Sequence, residues 1–325
     1  MLKGAPGWEV ELFSSEQALR QGWPARDRAD DYWLRPDVLA FFINQPQGLE
    51  AKALLLRNAT SQREVLLTAQ SFYFNAGGQV SDNAKGETSS YDFRRRLLAP
   101  FSFKVLALGQ MLVSGNYASD GLSQLSAAET ARVLPALANT LTARCPTYAG
   151  VLLKDLHAAG HPAIPELRSK GFHLLPTDPI MEVAIPASWC SLEDYLATIK
   201  SKYRVRYRRA RGKLEGITRR ELTPAEVTHY RDRIFALYKT TMSGADFNAA
   251  ALTPEYFPWL SRQEQAKASR LQLVGFADEL LPEPVASWQT KICGYFNGAG
   301  QLVGFTSAIR NGKTMHAHFL GMEEA

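Results

Sequence analysis

Eight cations within fourteen residues, laid over a helical repeat, constrain this chain more than any other stretch. Lys200, Lys202, Arg204, Arg206, Arg208, Arg209, Arg211 and Lys213 lie in residues 191–216, SLEDYLATIKSKYRVRYRRARGKLEG, where from Lys200 onward Glu215 alone opposes them. In the same stretch Leu196, Ile199, Tyr203, Tyr207, Ala210 and Leu214 recur at steps of three and four, the spacing of an apolar helical stripe. Ser191 followed by Asp194 has the form of a capping box, and Gly216 stands where a helix would stop. The spacing predicts one helix over 191–216, ~36–39 Å long. Basic heads can stay in water while their stems cover apolar surface. An ordinary surface helix, however, alternates its signs, because like charges at i,i+4 cost a few tenths of a kcal/mol each. The missing acids predict an anionic partner beside this helix.

The formal net charge is +5, so with the eight cations set aside the chain carries −3. The basic character is therefore local, which suits a bound anion better than a general nucleic-acid coat. A length of 325 residues predicts two domains, and 46% hydrophobic with 21% charged residues is a globular composition. Cys145, Cys190 and Cys293 fit neither a disulfide framework nor a zinc spacing, which points to thiols in a cytoplasmic protein. The N-terminus lacks a signal-peptide pattern, and the most apolar strip, 105–113, is far shorter than the ~20 residues of a membrane span.

Residues 1–48 carry short helical patterns, with Tyr32, Trp33, Phe41 and Phe42 expected beneath the following sheet. AKALLLRN and REVLLTAQSFYFN read as strands joined by the hairpin connection ATSQ. Residues 75–96 read as a long loop, and FKVLALGQMLVSGNYA as a strand. A helix marked by Ser126 and Glu129 follows, then the strand YAGVLLKDL, a short helix ending at Gly171, and one or two strands in FHLLPTDPIMEVAIP. Beyond the basic stretch, Thr223-Pro224 opens a helix over 223–241, and Thr253-Pro254 opens a second short one. RLQLVGFAD, KICGYF, QLVGFTSAIR and TMHAHFLGM then form a meander with Asn-Gly turns. The two halves repeat one theme: helices, a meander, and a strand with a glycine near its end. The second copy reaches Ala325 before matching the helix and strands that continue the first, so it is expected to be incomplete.

This layout resembles tandem acyltransferases of the GNAT superfamily, in the branch similar to FemAB-type aminoacyl and peptidoglycan-related transferases. SLEDYLATIKSKYRVRYRRARGKLEG resembles that family's linker helix, with its Tyr-Leu start and dense Arg/Lys run. KICGYFNGAGQLVGFTSAIRNGKTMHAHFLGMEEA resembles the second-domain core strands, and VLALGQMLVSGNYA the matching strand of the first domain. The likeness covers most of residues 50–325 as an arrangement. It implies an α/β fold with mixed α+β sheets: GNAT-like units over 1–190 and 217–325, joined by the basic helix 191–216. It also implies transfer of an acyl or aminoacyl group onto an amine by direct attack, without a covalent enzyme intermediate. No cofactor would be held permanently; the donor would be acyl-CoA or an aminoacyl-tRNA. The family's Q/R-x-x-G-x-G/A phosphate loop is missing here, since Gly298 and Gly300 belong to a hairpin turn. FemAB-like transferases also commonly lack that loop.

In this reading Lys202, Arg206 and Arg209 meet the phosphates of a donor or of a nucleotide-linked acceptor. His318 or Glu323 takes the amine proton, while His316, placed on the same strand face as His318, and Trp288 contact substrate. No carboxylate or thiol completes a metal set around the two histidines, and His157 and His161 sit beside the helix breakers Gly160 and Pro162. No nucleophile elbow is present. A different class of reading makes the basic helix a non-catalytic RNA- or tRNA-binding element, with Tyr203 and Tyr207 as its aromatics. A catalytically dead fragment is a further alternative.

Overall fold

The computed structural model describes residues 1–24, 31–45, 49–75, 102–115, 117–144, 147–154, 156, 161–175, 180–243, 252–263 and 289–323. The chain divides into two compact units, Met1–Ile180 with Gly244–Thr253, and Met181–Ser243 with Pro254–Ala325. The basic stretch falls within the second unit.

The first unit opens with β1 (Trp8–Phe13) and α1 (Glu16–Gly22), which Ser15 caps. A 3-10 turn at Tyr32–Leu34, α2 (Pro36–Ile43) and the hairpin β2 (Glu50–Asn58)–β3 (Glu64–Asn75) follow. Next come β4 (Ser102–Leu108), the two-residue β5 (Ser119–Asp120), α3 (Ala127–Ala143), β6 (Tyr148–Leu153) and α4 (Ile164–Ser169). The sheet order is β1-β2-β3-β4-β6, antiparallel except for β6, which runs parallel to β4 after the α3 crossover. Because β2 is central, its run Ala53-Leu54-Leu55-Leu56 is buried on both faces. Leu54 and Leu56 pack with Leu67, Leu108 and the α3 residues Val133, Leu134 and Leu137. Ala53 and Leu55 pack on the opposite face with Leu19, Trp23, Leu39 and Leu66. The predicted capping box forms, with Ser126 and Glu129 exchanging backbone bonds that hold the Glu129 carboxyl low.

The second unit contains α5 (Leu192–Thr198), α6 (Ser201–Gly212), β7 (Thr218–Glu221), α7 (Pro224–His229), α8 (Arg231–Ser243) and α9 (Tyr256–Ser261). Its last strands are β8 (Thr290–Phe296), β9 (Leu302–Asn311) and β10 (Thr314–Met322). They form an antiparallel sheet of order β10-β9-β8-β7. Ile234, Leu237 and Tyr238 on α8 are buried, as are Phe257, Phe305 and Ile309. The Phe257 and Phe305 rings meet edge to face at 4.9 Å. Gly321 allows this packing: a Cβ there would stand 2.6 Å from the Leu237 carbonyl carbon and from the Phe305 ring.

Both units therefore share a strand order. An opening strand pairs with the strand that follows two or more helices, and that strand starts an antiparallel three-strand run.

Several expectations need correction. The basic stretch is not one rod but two helices, separated at Ile199, whose ψ of 155° is extended. The helix expected over 223–241 divides at Tyr230, and α9 is capped by Glu255 instead of Thr253. Residues 172–175 and 180–190 form no strand, and Leu175, Met181 and Val183 remain exposed. The opening strands β1 and β7 were not anticipated. The expected strand RLQLVGFAD, the loop at 76–96, and Trp288, His157 and Cys145 lie outside the described residues.

Candidate functional site

The cationic element is built from its capping outward. Ser191 and Asp194 form the expected box at the start of α5. Backbone bonds from Cys190, then the Ser191 hydroxyl, hold the Asp194 carboxyl below its ordinary value. At the other end of α5 the carbonyls lack helical partners, and Arg204 supplies one. Its Nη1 donates to the Ile199 carbonyl at 2.6 Å, and to those of Leu196 and Ala197 at 3.3 and 3.5 Å. A cation at a helix C-terminus is also favoured by the helix dipole. This contact accounts for the break: turning the chain at Ile199 brings a guanidinium from α6 onto the exposed end of α5. Arg204 is thereby structural.

The other seven cations form no ion pair among the described residues. Leu196 at the start of the expected apolar stripe is buried, but no residue of α6 is, so the rest of the stripe has no core to enter; Tyr203 is 45% exposed and Leu214 40%. Lys202, Arg206 and Arg209 follow at i, i+4 and i+7, which aligns them on one face over roughly 10 Å. The Lys202 ammonium rests 4.9 Å from the Tyr203 ring centre. The geometry offers a short, open row of positive charge.

The two β10 candidates, expected as alternative bases, each have a partner of their own. A register shift between Ala317 and Leu320 interrupts the ladder at His318 and Phe319. The His318 Nε2 bonds the Tyr256 hydroxyl, and its ring lies 4.3 Å from the Phe319 ring centre. Burial, with His316 adding to it, pushes the His318 pKa down to about 3. Burial also lowers His316, against the opposing pull of Glu182. Both imidazoles are therefore neutral at pH 7. Glu323 pairs with Arg233, whose guanidinium also bonds the Leu302 carbonyl at 2.8 Å. Five residues of strand separate His318 from Glu323, about 16 Å, so the two do not converge on one atom.

Tyr256 was missed as the partner of His318 because it stands 62 residues away in sequence, in a segment that reads only as a short helix. An open cleft of about 440 Å³ in this unit is lined by Glu221, Thr223, Pro224, Gln263, Gln289 and Thr290, among others. None of the candidate residues lines it. Cys190 is an exposed free thiol and Cys293 a buried one. No group of His, Cys, Asp or Glu that could hold a metal is found among the described residues, and none of their helices is long and apolar enough to cross a membrane. No protein-family model matches the sequence, and comparison with curated proteins yields no match.

Proposed function

We propose that this chain transfers an acyl or aminoacyl group onto an amine, and that its carrier substrate is a polyanion docked on α6. The supporting observation is the run of seven cations along a helix that has no buried residue and, among the described residues, no acidic partners. Such a helix gains little from its own core and is short for independent stability, so its charge has value chiefly toward a bound anion. An aminoacyl-tRNA fits the open geometry better than a buried clamp for a small phosphate would, and acyl-CoA is the other donor class. The repeated strand order of the two units supports the resemblance to tandem GNAT-type transferases. The reaction would take place in the cytoplasm.

In this reaction the amine nitrogen attacks the acyl carbon, the bond to the carrier breaks, and the ammonium proton passes to a base. An imidazole with a pKa of about 3 is a poor acceptor at neutral pH, so the proton is assigned to the half-exposed Glu323. His318 and Tyr256 would then orient the strand bulge. The test is a filter-binding salt titration with tRNA beside an aminoacyl-transfer assay. Salt-sensitive binding together with transfer to an added amine supports the proposal, and neither appearing overturns it.

The engagement of both candidate bases, His318 by Tyr256 and Glu323 by Arg233, favours a second reading, in which α6 binds RNA without catalysis. Salt-sensitive tRNA binding with no transfer to any amine selects it.

A further inference from the structure

The open cleft of about 440 Å³ in the second unit takes no part in the transfer described above. It lies at the Thr290 end of β8, whereas the Glu323 N–H bonds the Val303 carbonyl at the other end, where Phe296 faces Leu302. The cleft exists because β7 is short: the chain leaves the sheet at Thr223 to begin α7. Beyond Glu221 one more rung forms, the Leu222 N–H on the Ile292 carbonyl at 2.9 Å. In the same register Pro224 would meet Thr290, and proline has no N–H to give. Carbonyls alternate sides along a strand: that of Ile292 faces β7, and that of Gln289 accepts from Arg310 on the β9 side. The Thr290 carbonyl therefore turns to the side that β7 has left. The end of α9 forms the other wall, tied to β8 by the Thr290 hydroxyl, which donates to the Leu260 carbonyl at 2.8 Å.

The polar lining offers acceptors. The Ser261 hydroxyl donates to the Pro258 carbonyl at 2.8 Å, as the Thr290 hydroxyl does to Leu260, so both protons are committed and lone pairs are left. The Gln263 and Gln289 amide nitrogens likewise donate to the Trp259 and Arg310 carbonyls. Among the described lining residues Glu221 carries the only charge, and none is Lys, Arg or His. Lys291 reaches Glu221 Oε2 at 2.9 Å from outside the lining, and the Glu221 side chain is still 53% exposed. A carboxylate has about four lone-pair sites, so one bond from Lys291 leaves others for a ligand. Leu222, Pro224 and Ile292 supply the apolar part of the lining.

We propose that this cleft binds a primary alkylamine as its ammonium ion. An ammonium has donors and no acceptor, the complement of a lining that offers oxygens. Its charge is met by Glu221, while a short alkyl chain matches Leu222, Pro224 and Ile292. An anion would meet like charge at Glu221, and an alcohol of the same length brings one donor instead of three. The site stands independently of the transfer reading and of α6.

The test is a saturation-transfer NMR titration of the full chain with n-butylamine and putrescine, and with butan-1-ol as the neutral isostere, for the parent, Glu221→Gln and Thr290→Val. The parent should bind at least one amine, and butan-1-ol about tenfold more weakly or not at all. Glu221→Gln should weaken amine binding by about tenfold or more, the effect of losing a hydrogen bond between charged groups, and leave the alcohol unchanged. Thr290→Val should weaken the amine as well. Binding of neither amine overturns the proposal, as does equal binding of amine and alcohol, or equal amine binding by the parent and Glu221→Gln. Glu221→Gln alone decides the matter if Thr290→Val does not fold.

Discussion

Arg204 completes the first turn of one helix and, through its 2.6 Å bond to the Ile199 carbonyl, closes the helix before it. One guanidinium thus sets the corner on which the remaining cations are displayed. Arg204→Met keeps the stem but removes the donor. It should cost about 1–2 kcal/mol from the missing charge-assisted bonds and dipole interaction, seen as a lower melting temperature and reduced helical circular dichroism. Arg204→Lys should recover part of that stability.

The exposed cations should behave in the opposite way. Lys202→Glu, Arg206→Glu and Arg209→Glu together should leave the melting temperature nearly unchanged, since none of the three has an ion-pair partner among the described residues. Binding to tRNA should fall by about a hundredfold or more. The slope of log affinity against log salt should shrink by roughly 2, near 0.7 for each phosphate no longer neutralised. Retained affinity in the triple variant would remove α6 from the proposed function.

His318 should impose an acid limit on stability. Its folded pKa lies near 3 and its ordinary value at 6.5, so between these values the unfolded chain holds the extra proton. Stability is then complete above pH 6.5 and declines as pH falls toward 3. His316 is shifted in the same direction and adds to the decline. His318→Gln, which can still bond the Tyr256 hydroxyl, should flatten the melting temperature between about pH 6 and 4, measured by calorimetry at stepped pH.

Gly321→Ala should destabilise the second unit by about 1–3 kcal/mol, because the new methyl would meet the Leu237 backbone as well as the buried Phe305 ring. Gly298→Ala, where nothing lies within contact distance, is the control and should change denaturant midpoints little.

Much of the fold was legible wherever local chemistry decides it. The helix starts at Ser126, Ser191 and Thr223 form as read, each closed by a capping box, and so do the hairpin between β2 and β3 and the β8–β10 meander. Features set by distant partners were not legible. β7 is the polar TRRE, exposed at all four positions, and only its pairing with β8 makes it a strand. The helical repeat passes through Ile199 uninterrupted, so periodicity could not reveal that the end of α5 is closed by a side chain from α6. Apolar content alone made 172–186 read as strand, yet its described residues have no partner edge to join. For the site, the cations were visible as composition, whereas the Tyr256–His318 bond and the cleft beside Thr290 depend on the folded sheet.

The opening strand of each unit has a kinetic consequence. Trp8 must find Asn58, and Thr218 must find Phe296, while β2–β3, β8–β9 and β9–β10 close through short connections. Bringing such distant segments together carries the larger loop entropy, so β1 and β7 are the last to dock during folding. They are likewise the first to fray, and amide exchange should be fastest along these two rims.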